Sequence, residues 1–495
     1  MHSEAWIQPE LNALREDHLK REIRSCPQAG GRFSLDGQPV LNFGSNDYLD
    51  LAHKPEIIEA AQKALTDYGT GAGASRLVSG SLPLHATLEQ ALAKHKGYPD
   101  ALVFGSGFLA NTGIIPALVG RRDTIFADKL VHASIIDAAK LSHARFIRFR
   151  HNDYRHLEKL LSRSRGTGRC LIVTESVFSM DGDLAPLPEI AELAAKYDAM
   201  LMVDEAHATG VFGPHGAGLV AAHRLEPKVN IAMGTFSKAL GNYGGFATCS
   251  TDMKEWLVNR ARSFIYTTAP APPVAGGCLA ALRFLERNPD LGEQLQSRAN
   301  YFRELLKGYG FDTGRSRSQI IPVMVGDSER ALQLAAGLRG KGILAVAIRP
   351  PTVPRGTARL RLSVTLAHSE ADLQYAAEIL ATVAKRIPTG ASETGQEGVT
   401  GAGAAGADDT VPHKPASSAG SPSGQQSVGV HTSVCIPGNV ATQQTPKSNI
   451  SESHAKVTTK NNSAFRLGGR ARTYGIPCRA PRAKQFSCDV DQRFI

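Results

Sequence analysis

The stretch "CLIVTESVFSMDGDLAPLPEIAELAAKYDAMLMVDEAH", Cys170 to His207, sets out a strand, a turn, a helix and a second strand in succession. "CLIVTES" and "AMLMVDEAH" are apolar runs of strand length, and "LPEIAELAAKYD" between them is amphipathic and of helix length. Working outward, "ALVFGSG" gives way to "FLANTGIIPALVG", "DTIFAD" to "HASIIDAAKLS", and "NIAMGTFS" closes the series, all within residues 100–250. Strand-sized runs separated by helix-sized ones predict an α/β fold, a largely parallel sheet with helices on its faces. In such sheets ligands sit at the carboxyl ends of the strands, where loops and helix N-termini converge.

Beyond this block, residues 280–385 read as a smaller α+β unit. Its helices are "LAALRFLER", "SRANYFRELLKGYG" and "ERALQLAAGLRGKG", and its strands "IIPVMV", "LAVAIRP" and "ARLRLSV". A last helix follows, in which Leu373, Ala376, Ala377, Ile379 and Leu380 recur at helical spacing. Near residue 387 the composition turns small and polar, with few aliphatic residues and no period. Such a segment buries too little apolar surface to offset its chain entropy, so it is predicted to be disordered. The chain therefore divides into an N-terminal arm (1–50), a large domain (51–280), a small C-terminal domain (281–386) and a low-complexity tail (387–495). The basic end of that tail reads equally as an interaction segment or as an unselected extension.

The whole chain has 495 residues, 42% hydrophobic and 21% charged, the balance of an ordinary globular protein. Its net charge of +10 is spread without a dense Lys/Arg run, so no nucleic-acid partner is expected. Seven scattered cysteines with no CxxC pair fit reduced thiols, with neither a disulfide framework nor a metal site. No apolar run reaches the roughly 18 residues of a membrane helix, and the N-terminus shows no apolar segment of a secretory signal. The expectation is a cytoplasmic protein with no membrane partner.

Four loops fall at predicted strand ends. "GSGFLAN" places Gly105 and Gly107 before a helix starting near Phe108, where free N–H groups and the helix dipole suit a phosphate; a plain tight turn explains the same glycines. "MVDEAHATG" ends a strand in Asp204, Glu205 and His207, which read either as a helix cap or as charge kept for a cationic partner. "DKLVHASIIDAA" brings His132 into a helix, as a capping residue or a site residue. "ESVFSMDGDLAPL" puts Ser179, Asp181 and Asp183 in a turn that turn chemistry also accounts for.

A fifth segment decides between these readings. "GTFSKALGNYGG", Gly234 to Gly245, sets Lys238 among hydroxyls and glycines, 34 residues after Asp204 and beyond another strand. A lysine, a strand-end aspartate, two histidines and a phosphate-binding helix start meeting in one crevice suit pyridoxal 5′-phosphate. The lysine amine condenses with the aldehyde, the carboxylate keeps the ring nitrogen protonated, and the helix end and hydroxyls hold the phosphate. Small residues around Lys238 leave room for the coenzyme.

"VDEAHATGVFG", "TFSKALGNYGG" and "ESVFSMDGD" resemble the motifs of the α-oxoamine synthases, fold-type I pyridoxal-phosphate-dependent transferases. "NFGSNDYLDLA" and "GTGAGASRLVSGSLPLHATLEQALA" match the N-terminal part of that family, and the resemblance runs from about Trp6 to about Arg386. It implies an aspartate aminotransferase-like fold with a mostly parallel seven-stranded sheet, and a homodimer with active sites between subunits. Within the family, "AIRPPTVPRGTARLRLSVTLAH" is most similar to the 8-amino-7-oxononanoate synthases. That branch condenses L-alanine with a pimeloyl thioester, of coenzyme A or a carrier protein, in biotin biosynthesis. Sibling activities share the motifs: glycine with acetyl-CoA (glycine C-acetyltransferase), glycine with succinyl-CoA, and serine with palmitoyl-CoA. A catalytically silent binding subunit would have lost the lysine or the aspartate, and both are present.

Carried over by residue, the resemblance implies that Lys238 carries the coenzyme as a Schiff base and Asp204 pairs with the ring nitrogen. His207 and Ser179 lie near the ring hydroxyl, and His132 stacks on the ring. Gly107 and Phe108 mark the phosphate-side helix start, Thr235 contacts the phosphate, and Thr267 and Thr268 reach the phosphate of the partner subunit. Arg349 holds the amino acid's carboxylate with Asn46 assisting, and Thr352 lines the substrate site. Arg21, or Arg24 close by, serves the acyl substrate.

Overall fold

The computed structural model describes residues 4–387, except Arg24, Ala29, Asp36 and 165–167. The expected disordered tail, apart from its first residue Ile387, and Arg24 lie outside the described residues. Among the described residues there are thirteen strands, in chain order β1 (Arg32–Leu35), β2 (Gln38–Asn42), β3 (Asp100–Phe104), β4 (Thr124–Asp128), β5 (Arg145–Phe149), β6 (Cys170–Glu175), β7 (Met200–Asp204), β8 (Ile231–Thr235), β9 (Gly245–Cys249), β10 (Ile320–Gly326), β11 (Ile343–Leu344), β12 (Val346–Ile348) and β13 (Ala358–Ser363).

Seven of them form one sheet in the order β3-β9-β8-β7-β6-β4-β5. β8, β7, β6, β4 and β5 run parallel to one another, and β9 is antiparallel to both its neighbours, β3 and β8. β4, β8 and β9 are buried along their whole length, which explains their unbroken apolar sequences. The carboxyl ends of β3, β4, β6, β7 and β8 lead into the five loops singled out in the sequence.

Two strands of this sheet escaped the periodicity reading. β5 is the edge strand, and its exposed Arg145 and Arg148 break the apolar run. β9 follows directly on the Gly244-Gly245 pair, whose glycines read as turn. They serve a close backbone approach: a Cβ on Gly245 would lie 2.5 Å from the Ser106 carbonyl carbon, and Gly244 has φ +118°. This contact sets the loop bearing Lys238 against the helix Gly107–Leu118.

The remaining strands make two three-stranded sheets, β1-β2-β11 and β10-β13-β12. "LAVAIRP" is therefore divided: β11 pairs parallel with β2, and β12 pairs antiparallel with β13. Of the expected N-terminal arm, β1 and β2 pair antiparallel, and β2 pairs in turn with β11 of the C-terminal part of the chain. The expected boundary at 280/281 falls inside the helix Pro272–Arg287, which packs on Pro55–Tyr68 and Pro83–Lys96. A Cβ on Gly276 would lie 2.7 Å from Ala64 Cβ, so glycine permits the tight helix contact.

Two polar devices brace the strand ends. Lys96 Nζ lies 2.5 Å from Glu205 Oε2, both fully buried, and Val220 N–H donates to Glu205 Oε1 at 2.9 Å. His151 bridges Asp128 Oδ1 (2.9 Å) and Asp183 Oδ2 (2.8 Å), tying the end of β4 to the turn containing Ser179. Asp181 of the same turn pairs with Arg359 of β13. The two turn aspartates thus hold the loop in place.

Candidate active site

β8 ends at Thr235, whose Oγ1 donates to Gly244 O at 2.6 Å and closes the loop that carries Lys238. Lys238 O accepts from Gly241 N–H at 2.9 Å, and Gly241 adopts φ +61°, where a Cβ would lie 2.4 Å from Ala52 N. The glycine-rich turn exists to fold back on the lysine within this space. The Lys238 side chain lines a cavity of about 180 Å³ together with Asp204, Glu175, His132, His207 and Gly107. Burial lowers the proton affinity of the amine; the Asp204 and Glu175 carboxyls oppose this, and the Arg361 cation adds to it.

Asp204, at the end of β7, accepts from Ala206 N–H at 2.9 Å and from Asn111 Nδ2 at 3.1 Å. Asn111 also donates to Ser134 Oγ at 2.9 Å, and its own Oδ1 is buried without a partner. His132 caps the helix Ala133–Ser142: its Nδ1 accepts from Ser134 N–H at 3.2 Å and meets Ser134 Oγ at 2.8 Å. Asp204 is thereby linked to His132 through two side chains. Glu175 sits directly beside Asp204 in the β6–β7 register and is 2% exposed, with Oε1 unpartnered. Burial, then the Asp204 charge, raises its carboxyl well above the usual range.

His207 Nδ1 lies 2.7 Å from the Tyr48 hydroxyl. Burial, followed by Lys238, Arg361 and His132, holds this imidazole well below its ordinary value, so it is neutral at pH 7. His132 is lowered too, by burial, with Asp204 opposing and Lys238 reinforcing. Arg361, 6% exposed in β13, donates to Ser179 O at 2.6 Å, to Ser363 Oγ at 2.9 Å, and to Asn46 Oδ1 from both terminal nitrogens at 3.2 Å. No carboxylate among the described residues forms an ion pair with it. A buried guanidinium held by neutral oxygens is a ready partner for an incoming anion.

The helix Gly107–Leu118 has Ser106 as its N-cap, with Ser106 Oγ accepting from Leu109 N–H at 3.1 Å. The Gly107 and Phe108 amides precede any intrahelical acceptor and stand at the cavity wall. A Cβ on Gly107 would enter the space in front of Thr235, 3.6 Å from its Cβ. Thr235 lines the cavity, although its proton is given to Gly244 O; Ser237, which also lines it, is exposed and lies 2.7 Å from Thr235 Oγ1.

Gly107, Phe108, His132, Asp204, His207, Thr235 and Lys238 thus come together around one cavity. Ser179 and Asn46 stand behind it on Arg361, which connects to the lining residue His207 through the Tyr48 hydroxyl. Arg349 does not line it: its guanidinium donates to His18 O, and burial, followed by the nearby Arg21 cation, lowers its proton affinity. Thr352 is exposed on the loop after Arg349. Thr267 and Thr268 are partly or fully exposed beyond the cavity, next to a contact between Ala269 N–H and Ala74 O.

Sequence reasoning missed Asn111, Glu175, Tyr48, Ser237 and Arg361. Glu175 carried a signal, a carboxylate closing an apolar strand in the register of Asp204. Arg361 carried a contrary one, because alternation in "ARLRLS" reads as a solvated face. Asn111 gave none.

Residues 38–380 match the family model for aminotransferase class I and II. The chain is 47% identical over 385 residues to 8-amino-7-oxononanoate synthase of Geobacter sulfurreducens, covering 77% of this chain and 98% of that one. It is 48% identical over 378 residues to a putative 8-amino-7-oxononanoate synthase of Geobacillus kaustophilus, covering 76% and 97%. Among solved structures, Sphingomonas wittichii serine palmitoyltransferase superposes with TM-score 0.73 at 31% identity, over 78% of this chain and 99% of that one. The 8-amino-7-oxononanoate synthase of Francisella tularensis superposes with TM-score 0.61 at 31% identity, over 70% and 98%.

Proposed function

The chain belongs to the aminotransferase class I and II family, and we infer that it is a pyridoxal-phosphate-dependent acyltransferase of the 8-amino-7-oxononanoate synthase kind. It joins L-alanine to a pimeloyl thioester and yields 8-amino-7-oxononanoate, carbon dioxide and the free thiol, a step of biotin biosynthesis. The observation that carries this reading is the convergence of Lys238 and Asp204 on one cavity beside the free amides of a helix start.

The donor set fits the coenzyme. Lys238 would hold its aldehyde carbon, Asp204 its ring nitrogen, and His132 its ring face. His207 and Ser179 would serve the ring hydroxyl, and the Gly107 and Phe108 amides, with Ser237 and Thr235, the phosphate. When bound, pyridoxal phosphate supplies an electron sink for the carbanion formed at the amino acid's Cα.

The chain's own residues do the rest. Lys238 Nζ, with its proton affinity lowered by burial, takes the alanine Cα proton and returns one at the end. Arg361, whose cation stands close enough to Lys238 to lower its proton affinity, is assigned the alanine carboxylate and so the orientation of the Cα–H bond; the resemblance gives this task to Arg349, whose guanidinium donates to His18 O. We assign Arg21 and Arg349 together, with Thr352, to the far carboxylate of the pimeloyl chain. A carbon–carbon bond forms between alanine Cα and the acyl carbon, the thiolate leaves, and the original carboxylate departs as carbon dioxide. The histidine N–H groups at the cavity wall stabilise charge on oxygen during these steps.

The protein works as a homodimer on this reading. Phe108, which lines the cavity, is 48% exposed, and Leu77, Val78, Tyr243 and Tyr266 are further exposed apolar side chains open to a second copy, which would bring Thr267 and Thr268 to the neighbouring phosphate. No helix among the described residues is long and apolar enough to cross a membrane, and the cysteines among them are unpaired.

One observation favours a sibling: the higher TM-score to serine palmitoyltransferase. Steady-state assays of alanine, glycine and serine against pimeloyl-, acetyl- and palmitoyl-CoA separate the two. The highest kcat/KM is expected for alanine with pimeloyl-CoA. A preference for serine with palmitoyl-CoA, or glycine with acetyl-CoA, would overturn the assignment.

A further inference from the structure

Tyr48 is fully buried between two parts of the site and belongs to none of the roles given above. Its hydroxyl has one proton and three neighbours: His207 Nδ1 at 2.7 Å, Asn46 Oδ1 at 3.1 Å and Arg361 Nη2 at 3.3 Å. Arg361 only donates, so Tyr48 accepts from it. Asn46 Oδ1 already accepts from both Arg361 terminal nitrogens, which fills its two lone pairs. The phenol proton is left with one acceptor, His207 Nδ1, and that contact is also the shortest.

We propose that Tyr48 is a positioning residue that fixes the His207 ring with its proton on Nε2, so that this ring offers the cavity a donor and never an acceptor. His132 is fixed the same way by a different device, because the Ser134 backbone N–H donates to its Nδ1 at 3.2 Å. Both histidines lining the cavity therefore present N–H groups to it, which selects for an oxygen that carries or gains negative charge. With pyridoxal phosphate bound, as the proposed function requires, the oxygen facing His207 is the ring hydroxyl held as its anion. Tyr48 also joins this oxygen to Arg361, so a carboxylate arriving at the guanidinium acts on His207 through one phenol.

The test uses the full-length holoenzyme with ¹⁵N-labelled histidine. His207 is assigned by comparison with His207→Gln, and its two ring-nitrogen shifts report which one carries the proton. The wild type is expected to show Nε2 protonated and Nδ1 as acceptor. In Tyr48→Phe the His207 ring should populate both tautomers while the His132 signals stay in place, which also reports an intact fold. The pH midpoint of the visible absorbance of the bound coenzyme should move upward by up to about one unit, because the form with most charge on the ring oxygen loses its enforced donor. A wild-type His207 with its proton on Nδ1 overturns the proposal, whether or not the variant folds. So does a Tyr48→Phe enzyme with unchanged His207 shifts and an unchanged midpoint. If the protein never develops visible absorbance with pyridoxal phosphate, the coenzyme reading fails, and the ring-nitrogen shifts still decide the role of Tyr48.

Discussion

Replacing His151 by alanine removes a cation clamped between two carboxylates, and the structure sets both the size and the pH dependence of the loss. Burial by itself lowers the proton affinity of this imidazole, but Asp128 and Asp183 outweigh it and lift the pKa from 6.5 to about 10. A rise of that size corresponds to a ceiling of about 5 kcal/mol. The side chain is 22% exposed, and Asn152 keeps hold of both aspartates after the change, donating from its backbone to Asp128 and from its amide to Asp183. The expected destabilisation at pH 7 is therefore about 2–4 kcal/mol. Because the folded-state pKa is raised, the stabilisation is complete below about pH 6.5, mostly present at pH 7, and lost as pH climbs through about 10. Urea unfolding of the full-length wild type and His151→Ala, at pH 7 and pH 10, reads the two gaps. Activity should fall as well, since Asp183 holds the turn that contains Ser179. An equal gap at both pH values would assign the effect to the ring's edge-on packing against Phe178 and refute the electrostatic reasoning.

Lys96→Met leaves the fully buried Glu205 carboxylate without its partner and should cost about 3–5 kcal/mol in chemical denaturation, with most of it regained in Lys96→Met/Glu205→Gln. Arg361→Met should raise the KM for alanine about 10- to 100-fold while the visible absorbance with pyridoxal phosphate persists; a KM that responds to Arg349→Met instead would move the carboxylate site. Gly107→Ala projects a methyl group into the coenzyme cavity, so the Kd for pyridoxal phosphate should rise several-fold by fluorescence titration, with the apo-protein Tm nearly unchanged.

The parallel core of the sheet was legible because β4, β6, β7 and β8 are buried on both faces and leave continuous apolar runs in the chain. An edge position hid β5, since Arg145 and Arg148 can reach water from an outer strand. Glycines needed for backbone contact hid β9. "LAVAIRP" reads as one strand, yet two different sheets claim its halves, a decision made by long-range pairing and not by local pattern. In the site, Asp204 closes β7 and His132 caps a helix, while Lys238 and His207 stand in the loops just past the ends of β8 and β7, so each was readable from its place at an element end. Arg361 was not, because a buried arginine satisfied by carbonyl, amide and hydroxyl oxygens leaves the same alternation as a solvated one. Tyr48 and Asn111 act through contacts across 159 and 93 residues, which no local spacing records.

The most direct measurement is reconstitution of the apo-protein with pyridoxal phosphate, followed by visible absorbance, in the wild type, Lys238→Ala and Asp204→Ala. The wild type should acquire a visible band at a one-to-one ratio of coenzyme to chain. Lys238→Ala should acquire none and be inactive, and Asp204→Ala should bind the coenzyme more weakly and lose turnover. A Lys238→Ala protein that keeps both the band and the activity contradicts the account.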